Sequence, residues 1–136
     1  MAKDIAERGV ERGQTGQSLA ELSIVLVLFL VVTFGIVDAG RLIFAYNAVS
    51  LSAREGVRYA VVRGSASGHP ASADDITAVI QSKTVGVPVD VTVTWDPDNN
   101  PGSAVVVTVH STFSPVTPFA PQTINLTSTS RMVISR

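Results

Sequence analysis

The sequence contains no cysteine in its 136 residues. This absence excludes disulfide frameworks, thiolate metal sites and cysteine nucleophiles together. Any folded domain in the chain must therefore be held by packing and hydrogen bonds alone. The absence does not fix the redox compartment in which the chain works.

Charge is scarce as well, and neither sign is in excess. Charged residues make up 15% of the chain, and 10 Lys and Arg face 11 Asp and Glu, for a formal net charge of −1. Proteins that bind nucleic acid usually present a basic field, so we predict no nucleic-acid partner. A hydrophobic content of 46% with so little charge is typical of one membrane span followed by an ordinary domain.

The patterns of common catalytic and cofactor sites are missing too. His69 and His110 have no cysteine or clustered carboxylate near them in sequence, so neither a metal-ligand spacing nor a Ser-His-Asp set can be built. Gly64 and Gly68 lack the preceding strand and the following lysine of a phosphate-binding loop. We predict no enzyme activity and no cofactor.

The first feature that is present is an uncharged run from Leu22 to Val37. As a helix it rises about 24 Å, a little less than the hydrocarbon core of about 30 Å, so Leu19 and Ala20 must contribute. This predicts a single transmembrane helix over residues 19–38. A short span with an acid at each end, Glu21 and Asp38, is more stable within a protein assembly than alone in lipid.

Orientation follows from the basic residues that flank the span. Three precede it, Lys3, Arg8 and Arg12, and Arg41 follows it closely. By the positive-inside rule, the N-terminus is predicted in the cytoplasm and the C-terminal part on the outer side of the membrane.

Glu21 lies at the N-terminal end of the uncharged run and is the most informative residue of the predicted span. A carboxylate there is costly and calls for a partner. If a protease cuts between Gly16 and Gln17, the new α-amino group lies four residues from Glu21 at the same end of one helix. A neighbouring copy of the chain then offers its amine to this carboxylate.

Two other interpretations of this region remain open. In the first, Glu21 is an interfacial residue that reaches the headgroups, and the span is a permanent signal anchor. In the second, Val37-Asp38-Ala39 before Gly40 is a secretory cleavage site, so the product is soluble and begins at Gly40.

Beyond the span, apolar residues at steps of three or four continue the helix to Arg63 or Gly64: Leu42, Tyr46, Val49, Ala53, Val57 and Ala60. The charged residues lie off this stripe, and Glu55 and Arg58 are spaced to pair. Residues 64–71 are rich in Gly and Ser and contain Pro70, which predicts a hinge.

The remaining residues, 72–136, predict a small α+β domain. Ser72 and Asp75 form a capping box for a second helix from about Ala73 to Thr84. Three segments predict antiparallel strands. Apolar and polar residues alternate over Val89–Trp95, an apolar run extends from Ala104 to Phe113, and every second residue from Ile124 to Ile134 lies on one face of a strand. The fold class is therefore α+β, with a long transmembrane and amphipathic helix, a short helix and a small antiparallel sheet.

The turn between the first two strands contains a weak calcium candidate. Asp96, Asp98 and Asn100 match the opening of a calcium-binding loop, but Pro101 replaces the required glycine and Val107 replaces the bidentate glutamate. A plain turn is the favoured interpretation, and no metal is predicted.

Three segments together resemble one known family. They are Arg12-Gly-Gln-Thr-Gly-Gln-Ser-Leu-Ala-Glu21, Gly35-Ile-Val-Asp-Ala-Gly-Arg-Leu42 and Ala53-Arg-Glu-Gly-Val-Arg-Tyr-Ala60. The chain is similar to the TadE-like family of minor pilins or pseudopilins, and Trp95–Gly102 and Ser128–Ile134 also look like that family's C-terminal half.

The resemblance implies a type IV pilin-like precursor of a tight-adherence (Tad/Flp) pilus in the bacterial inner membrane. By position, residues 1–16 are a cytoplasmic leader, Gly16 precedes the cut by prepilin peptidase, Gln17 is the mature N-terminus and Glu21 serves assembly. The partners implied are other pilin subunits, the peptidase, the assembly machinery and the bilayer. Leu22 stands where the small major subunits have tyrosine, which favours a minor component, and we expect loops Asp96–Gly102 and Ser114–Gln122 to contact partners.

Overall fold

The computed structural model describes residues 2–117 and 123–135, with side chains described from Gly16 onward. The order of elements is helix α1 (Ala2–Val61), a one-turn 3-10 helix (Ser65–Ser67), helix α2 (Ala73–Lys83) and strands β1 (Asp90–Asp96), β2 (Ala104–Phe113) and β3 (Ile124–Val133). The predicted α+β class is confirmed, as is the three-stranded antiparallel sheet.

The chain divides into two compact units after Ala39. The second unit therefore begins inside α1, and the predicted α+β domain of residues 72–136 lies within it. The reason is that the buried stripe of α1 beyond Gly40 is part of the core of this unit, which we call the globular unit.

In the first unit, the large apolar side chains of α1 are exposed along its whole uncharged run. Their exposed fractions range from 39% at Val31 to 70% at Ile24. The hydroxyls of Ser23 and Thr33 donate to the carbonyl oxygens of Leu19 and Phe29, both at 2.8 Å. These hydroxyl donors are satisfied within the helix, as a lipid-exposed segment requires.

The core of the globular unit lies between the buried face of α1, α2 and one face of the sheet. Its main cluster draws on all of these elements and consists of Val49, Ala53, Val57, Ala60, Ala71, Ile76, Ile80, Val105, Val107, Val109 and Ile134. A smaller cluster of Ala45, Phe113 and Leu126 lies at the other end of β2.

The sheet has the order β1-β2-β3. Asp90 pairs with His110 and Asp96 with Ala104, while β2 pairs with β3 from Ala104–Val133 to Phe113–Ile124. Because side chains alternate along a strand, this register places one valine row of β2 in the core and leaves the threonine-rich face exposed.

The prediction that Tyr46 belongs to the apolar stripe of α1 is wrong. Tyr46 is 58% exposed, whereas its neighbour Ala45 is 6% exposed and packs with Phe113 and Leu126. Spacings of three and four are equally helical, so the periodicity alone does not choose between these two positions. The small alanine permits close packing, and the larger tyrosine lies on the exposed side of the helix.

The observed ends of the elements differ slightly from the predicted ones. Helix α1 ends at Val61 instead of Arg63 or Gly64, and α2 ends one residue before Thr84. Strand β1 starts at Asp90 instead of Val89, and just ahead of it the carbonyl of Pro88 accepts from the Ser111 hydroxyl at 2.7 Å. The bounds of β2 are those predicted.

Candidate functional site

The predicted processing and assembly residues lie near one another on α1. Gly16, Gln17 and Glu21 are all exposed within this helix. Residues 17 and 21 are one helical turn apart, so their side chains lie on the same face. A Cβ added at Gly16 would meet nothing within 4 Å, so no packing contact in the described part of the chain requires glycine there.

The two acids that flank the span differ in their surroundings. Glu21 is exposed, whereas Asp38 is only 8% exposed and has partners of its own within the chain. Glu21 is therefore the acid that remains accessible to another molecule at the edge of the apolar run.

The turn between β1 and β2 is held by its own polar side chains. Asp98 accepts from the Ser103 hydroxyl at 2.6 Å, from the Asn100 backbone N–H at 3.0 Å and from the Asn100 side-chain amide at 2.5 Å. These bonds, with that from Ser103 foremost, lower the pKa of the Asp98 carboxyl below its usual value. The Asp96–Pro97 peptide bond within the turn is cis.

This turn also contacts the end of α1. The backbone N–H of Ser65 donates to the Asn99 carbonyl at 2.8 Å, and the Ser65 hydroxyl donates to Oδ1 of Asn100 at 2.7 Å. This turn is predicted from the sequence to contact partners, but some of its polar groups form hydrogen bonds with the segment that follows α1. The sequence gives no signal for this contact, because 35 residues separate Ser65 from Asn100.

The three calcium-candidate residues have protein partners. Asp96 lies 3.5 Å from Arg131, and Asp98 and Asn100 are engaged as described above. Within the described residues, no group of three or more His, Asp or Glu side chains is placed to hold a metal ion. The arrangement is that of an internally bonded turn.

The second predicted recognition loop, Ser114–Gln122, is described only in part. Residues 118–122 lie outside the described residues. Ser114 lines a cleft of about 470 Å³ with Arg41, Phe44, the segment Gly86–Pro88 and Phe113. The Arg41 guanidinium lies over the Phe113 ring, 5.3 Å from its centroid.

A second, more polar cleft lies beside the end of α1. Arg63 stacks on the Tyr59 ring at 4.0 Å from its centroid, and both residues line this cleft with His69 and Asp75. Asp75 accepts from the Ser72 backbone N–H at 3.0 Å and from its hydroxyl at 2.8 Å, and these bonds lower the pKa of the Asp75 carboxyl. The carboxylate is therefore committed to capping α2.

The charged face of α1 in the globular unit follows the sequence prediction. Glu55 and Arg58 pair at 3.6 Å, with 48% and 70% of their side chains exposed. Such an exposed pair contributes little to stability, on the order of 0.3–0.5 kcal/mol.

Comparison with known protein families gives a match within helix α1. The family model described as TadE-like protein matches residues 16–58, which confirms the predicted resemblance for this segment. No curated protein matches the chain, and no solved structure matches it. The matched range begins at Gly16 and includes Glu21, the apolar run and most of the buried stripe of the globular unit. A match to this family supports a protein associated with a Tad pilus. Among the described residues, one helix near the N-terminus is long and apolar enough to cross a membrane, which fits a single-pass membrane anchor.

Proposed function

We propose that this chain, whose residues 16–58 are TadE-like, is a structural minor pilin or pseudopilin of a Tad-type pilus. In this proposal, prepilin peptidase cuts between Gly16 and Gln17, and Glu21 pairs with the α-amino group of a neighbouring subunit during assembly. The span holds the subunit in the inner membrane until the assembly machinery removes it, with the N-terminus inside and the globular unit outside.

The observation that carries the proposal is the accessible carboxylate of Glu21 beside an unpartnered apolar helix. The apolar side chains of residues 22–37 are at least 39% exposed. Exposed apolar surface of this extent is stable only against lipid or against other apolar helices. Glu21 is the polar feature at the edge of this surface, so it sets where a second helix can dock.

Electrostatics favours pairing in the assembled state. Two unit charges 4 Å apart interact by about 1 kcal/mol in water and by about 4 kcal/mol at an effective dielectric of 20. An unpaired carboxylate buried among apolar helices is strongly unfavourable, and pairing with an amine offsets part of that desolvation cost. The amine and carboxylate therefore select the axial position at which both are satisfied.

The surroundings of Gly16 support a processing role. Since a Cβ built there would meet no described atom within 4 Å other than the neighbouring residues and backbone of its own helix, packing does not account for glycine at this position. A protease that needs close approach to the peptide backbone does account for it.

The first test is the mass of the mature chain isolated from cells. Cleavage as proposed gives a product that begins at Gln17, with or without loss of ammonia by cyclisation of that glutamine. Gly16→Val should retain Met1, and Gly13→Val, the matched control one turn upstream, should still give Gln17. A product that begins at Met1 in the wild type would refute processing, and one that begins at Gly40 would indicate a secreted protein.

The second test separates assembly from anchoring. Glu21→Gln keeps the size and polarity of the side chain but removes its charge, so we expect the subunit to stay in the membrane and to be lost from sheared filaments. The control Glu55→Gln removes an exposed acid of the same helix and should assemble normally. Normal assembly of Glu21→Gln would favour the alternative, a permanently anchored binding module with no filament role.

A further inference from the structure

One edge of the globular unit exposes large apolar side chains that its fold does not require outside. On α1 these are Ile43 and Phe44, each 62% exposed, and on the loops beside the Arg41 cleft they are Val85, 78% exposed, and Val116, 60% exposed. We call these four residues the proximal rim. Val85 directly precedes Gly86, which lines the cleft, and Val116 lies two residues after Ser114, the last lining residue of its loop.

The cleft beside the proximal rim contains polar groups of defined chemistry. Arg41 lies over Phe113 and lines the cleft, and Thr112 and Ser114 add two exposed hydroxyl-bearing residues to its wall. Ser111 already donates its hydroxyl to Pro88 and so serves the fold. Apolar side chains around a guanidinium and hydroxyls match a phospholipid, which presents acyl carbon beside phosphate and ester oxygens.

The position of the rim in the chain indicates which phospholipids it meets. Arg41 is the fourth residue after Val37, the last residue of the uncharged run. Because only three residues separate Arg41 from Val37, the chain itself keeps Arg41 within about 14 Å of the end of the uncharged run. The headgroup layer on each side of a bilayer is about 5–8 Å thick, and the uncharged run is shorter than the hydrocarbon core. A short span brings the following residues toward the headgroups.

We propose that the proximal rim docks on the outer headgroup layer of the membrane that holds the span, with Val85 and Val116 inserted and Arg41 at the lipid phosphates. This inference rests on the membrane anchoring in the proposed function and adds a second lipid contact made by the globular unit. The stored subunit is then held at two places, and both contacts must be broken when it is extracted into a filament.

The absence of cysteine makes a site-specific test direct. Val85→Cys, Val116→Cys, Val133→Cys and Val27→Cys would each carry the only cysteine of the full-length protein. Each variant is labelled with an environment-sensitive fluorophore and placed in nanodiscs of phosphatidylethanolamine and phosphatidylglycerol. Quenching by lipids that carry a spin label near the headgroup is then measured at the three positions of the globular unit, and quenching by lipids that carry the label on the acyl chain is measured at Val27.

Val133 provides the matched control. It is a valine with 62% exposure in the same unit, but it pairs with Ala104 at the opposite end of the sheet from Phe113. Val27, in the uncharged run and 61% exposed, reports on insertion of the span. We expect severalfold stronger quenching at Val85 and Val116 than at Val133, and weaker quenching at Val85 when Arg41→Gln is added or phosphatidylglycerol is omitted.

Three outcomes would overturn the inference, and they are distinguishable. Quenching at Val85 and Val116 no stronger than at Val133 would show that the rim stays in water, although a quenched Val27 would leave the anchoring intact. A blue-shifted but unquenched Val85 would show a protein neighbour in place of lipid. An unquenched Val27 would refute the anchoring itself, and the rim contact with it.

Discussion

Gly56 of α1 faces Ile80 of α2 so closely that a Cβ built on the glycine would lie 2.6 Å from Cδ1 and 3.0 Å from Cγ1 of Ile80. Both residues are buried, and Ile80 is 0% exposed. The missing side chain at residue 56 thus sets how near the two helices approach. The glycine belongs to the Ala53–Ala60 string and lies within the matched TadE-like range, and this contact gives a physical reason for it.

We therefore predict that Gly56→Ala destabilises the globular unit by about 1–3 kcal/mol, because the added methyl overpacks the helix contact. Ile80→Val removes Cδ1 and should cost about 0.5–1.5 kcal/mol alone. The double variant should lose less than the sum of the two, since the methyl then fills the vacated space. Denaturant unfolding of the four proteins measures this, and additive losses would contradict the contact.

Ser72 caps α2 through its hydroxyl, which accepts from the Asp75 N–H at 3.1 Å. Ser72→Ala should lower the free energy of unfolding by about 0.5–2 kcal/mol. Ser82→Ala is the matched control in the same helix, because its exposed hydroxyl only donates to the Val79 carbonyl. That variant should stay within about 0.5 kcal/mol of wild type. Equal losses in the two variants would argue against the cap.

Asp75 links the same cap to pH. Hydrogen bonds from Ser72 lower the pKa of its carboxyl in the folded state, so the folded state binds a proton less readily than the unfolded chain. The stabilisation is complete above the unfolded pKa of about 3.9 and is lost as the pH falls through the lower folded value. Asp75→Asn should reduce the acid-induced decrease in melting temperature, and an unchanged pH profile would contradict this linkage.

Calcium should leave the melting temperature of the protein unchanged. The Asp98 carboxylate already accepts from Ser103 and Asn100, and the Asn100 Oδ1 accepts from Ser65, so an ion would have to displace bonds that the turn already makes. Thermal unfolding in excess calcium and in a chelator measures this directly. A rise in melting temperature with calcium, removed by Asp98→Asn, would establish a metal site.

Much of the local structure was predictable because it follows from short-range periodicity. The uncharged run and the stripe beyond it indicate one long helix, and alternation indicates three strands. The capping box could also be predicted, since its two partners, Ser72 and Asp75, are only three residues apart in sequence. The processing and assembly residues Gly16, Gln17 and Glu21 stay predictions, because their proposed roles require another molecule.

Other features depend on partners that are distant in the chain. Gly56 offered a usable signal, as a glycine inside a helical pattern, but only the position of Ile80 explains it. Nothing in the local sequence links Ser65 to Asn100 or Arg41 to Phe113. The choice of Ala45 over Tyr46 as a buried residue likewise depends on Phe113 and Leu126.

The sequence by itself determined the periodicity of apolar residues in each element, and this periodicity indicated the helices and strands. It also determined the apolar span and the position of the acid at its N-terminal end. These follow from the 3.6-residue and two-residue periods of the backbone, which a sequence records directly. Only the tertiary structure decided which face of α1 is buried beyond Gly40, where glycine permits helix contact, and that the Arg41 cleft is edged by exposed valines. Those features depend on how side chains far apart in sequence fill a shared volume, and no local period encodes that.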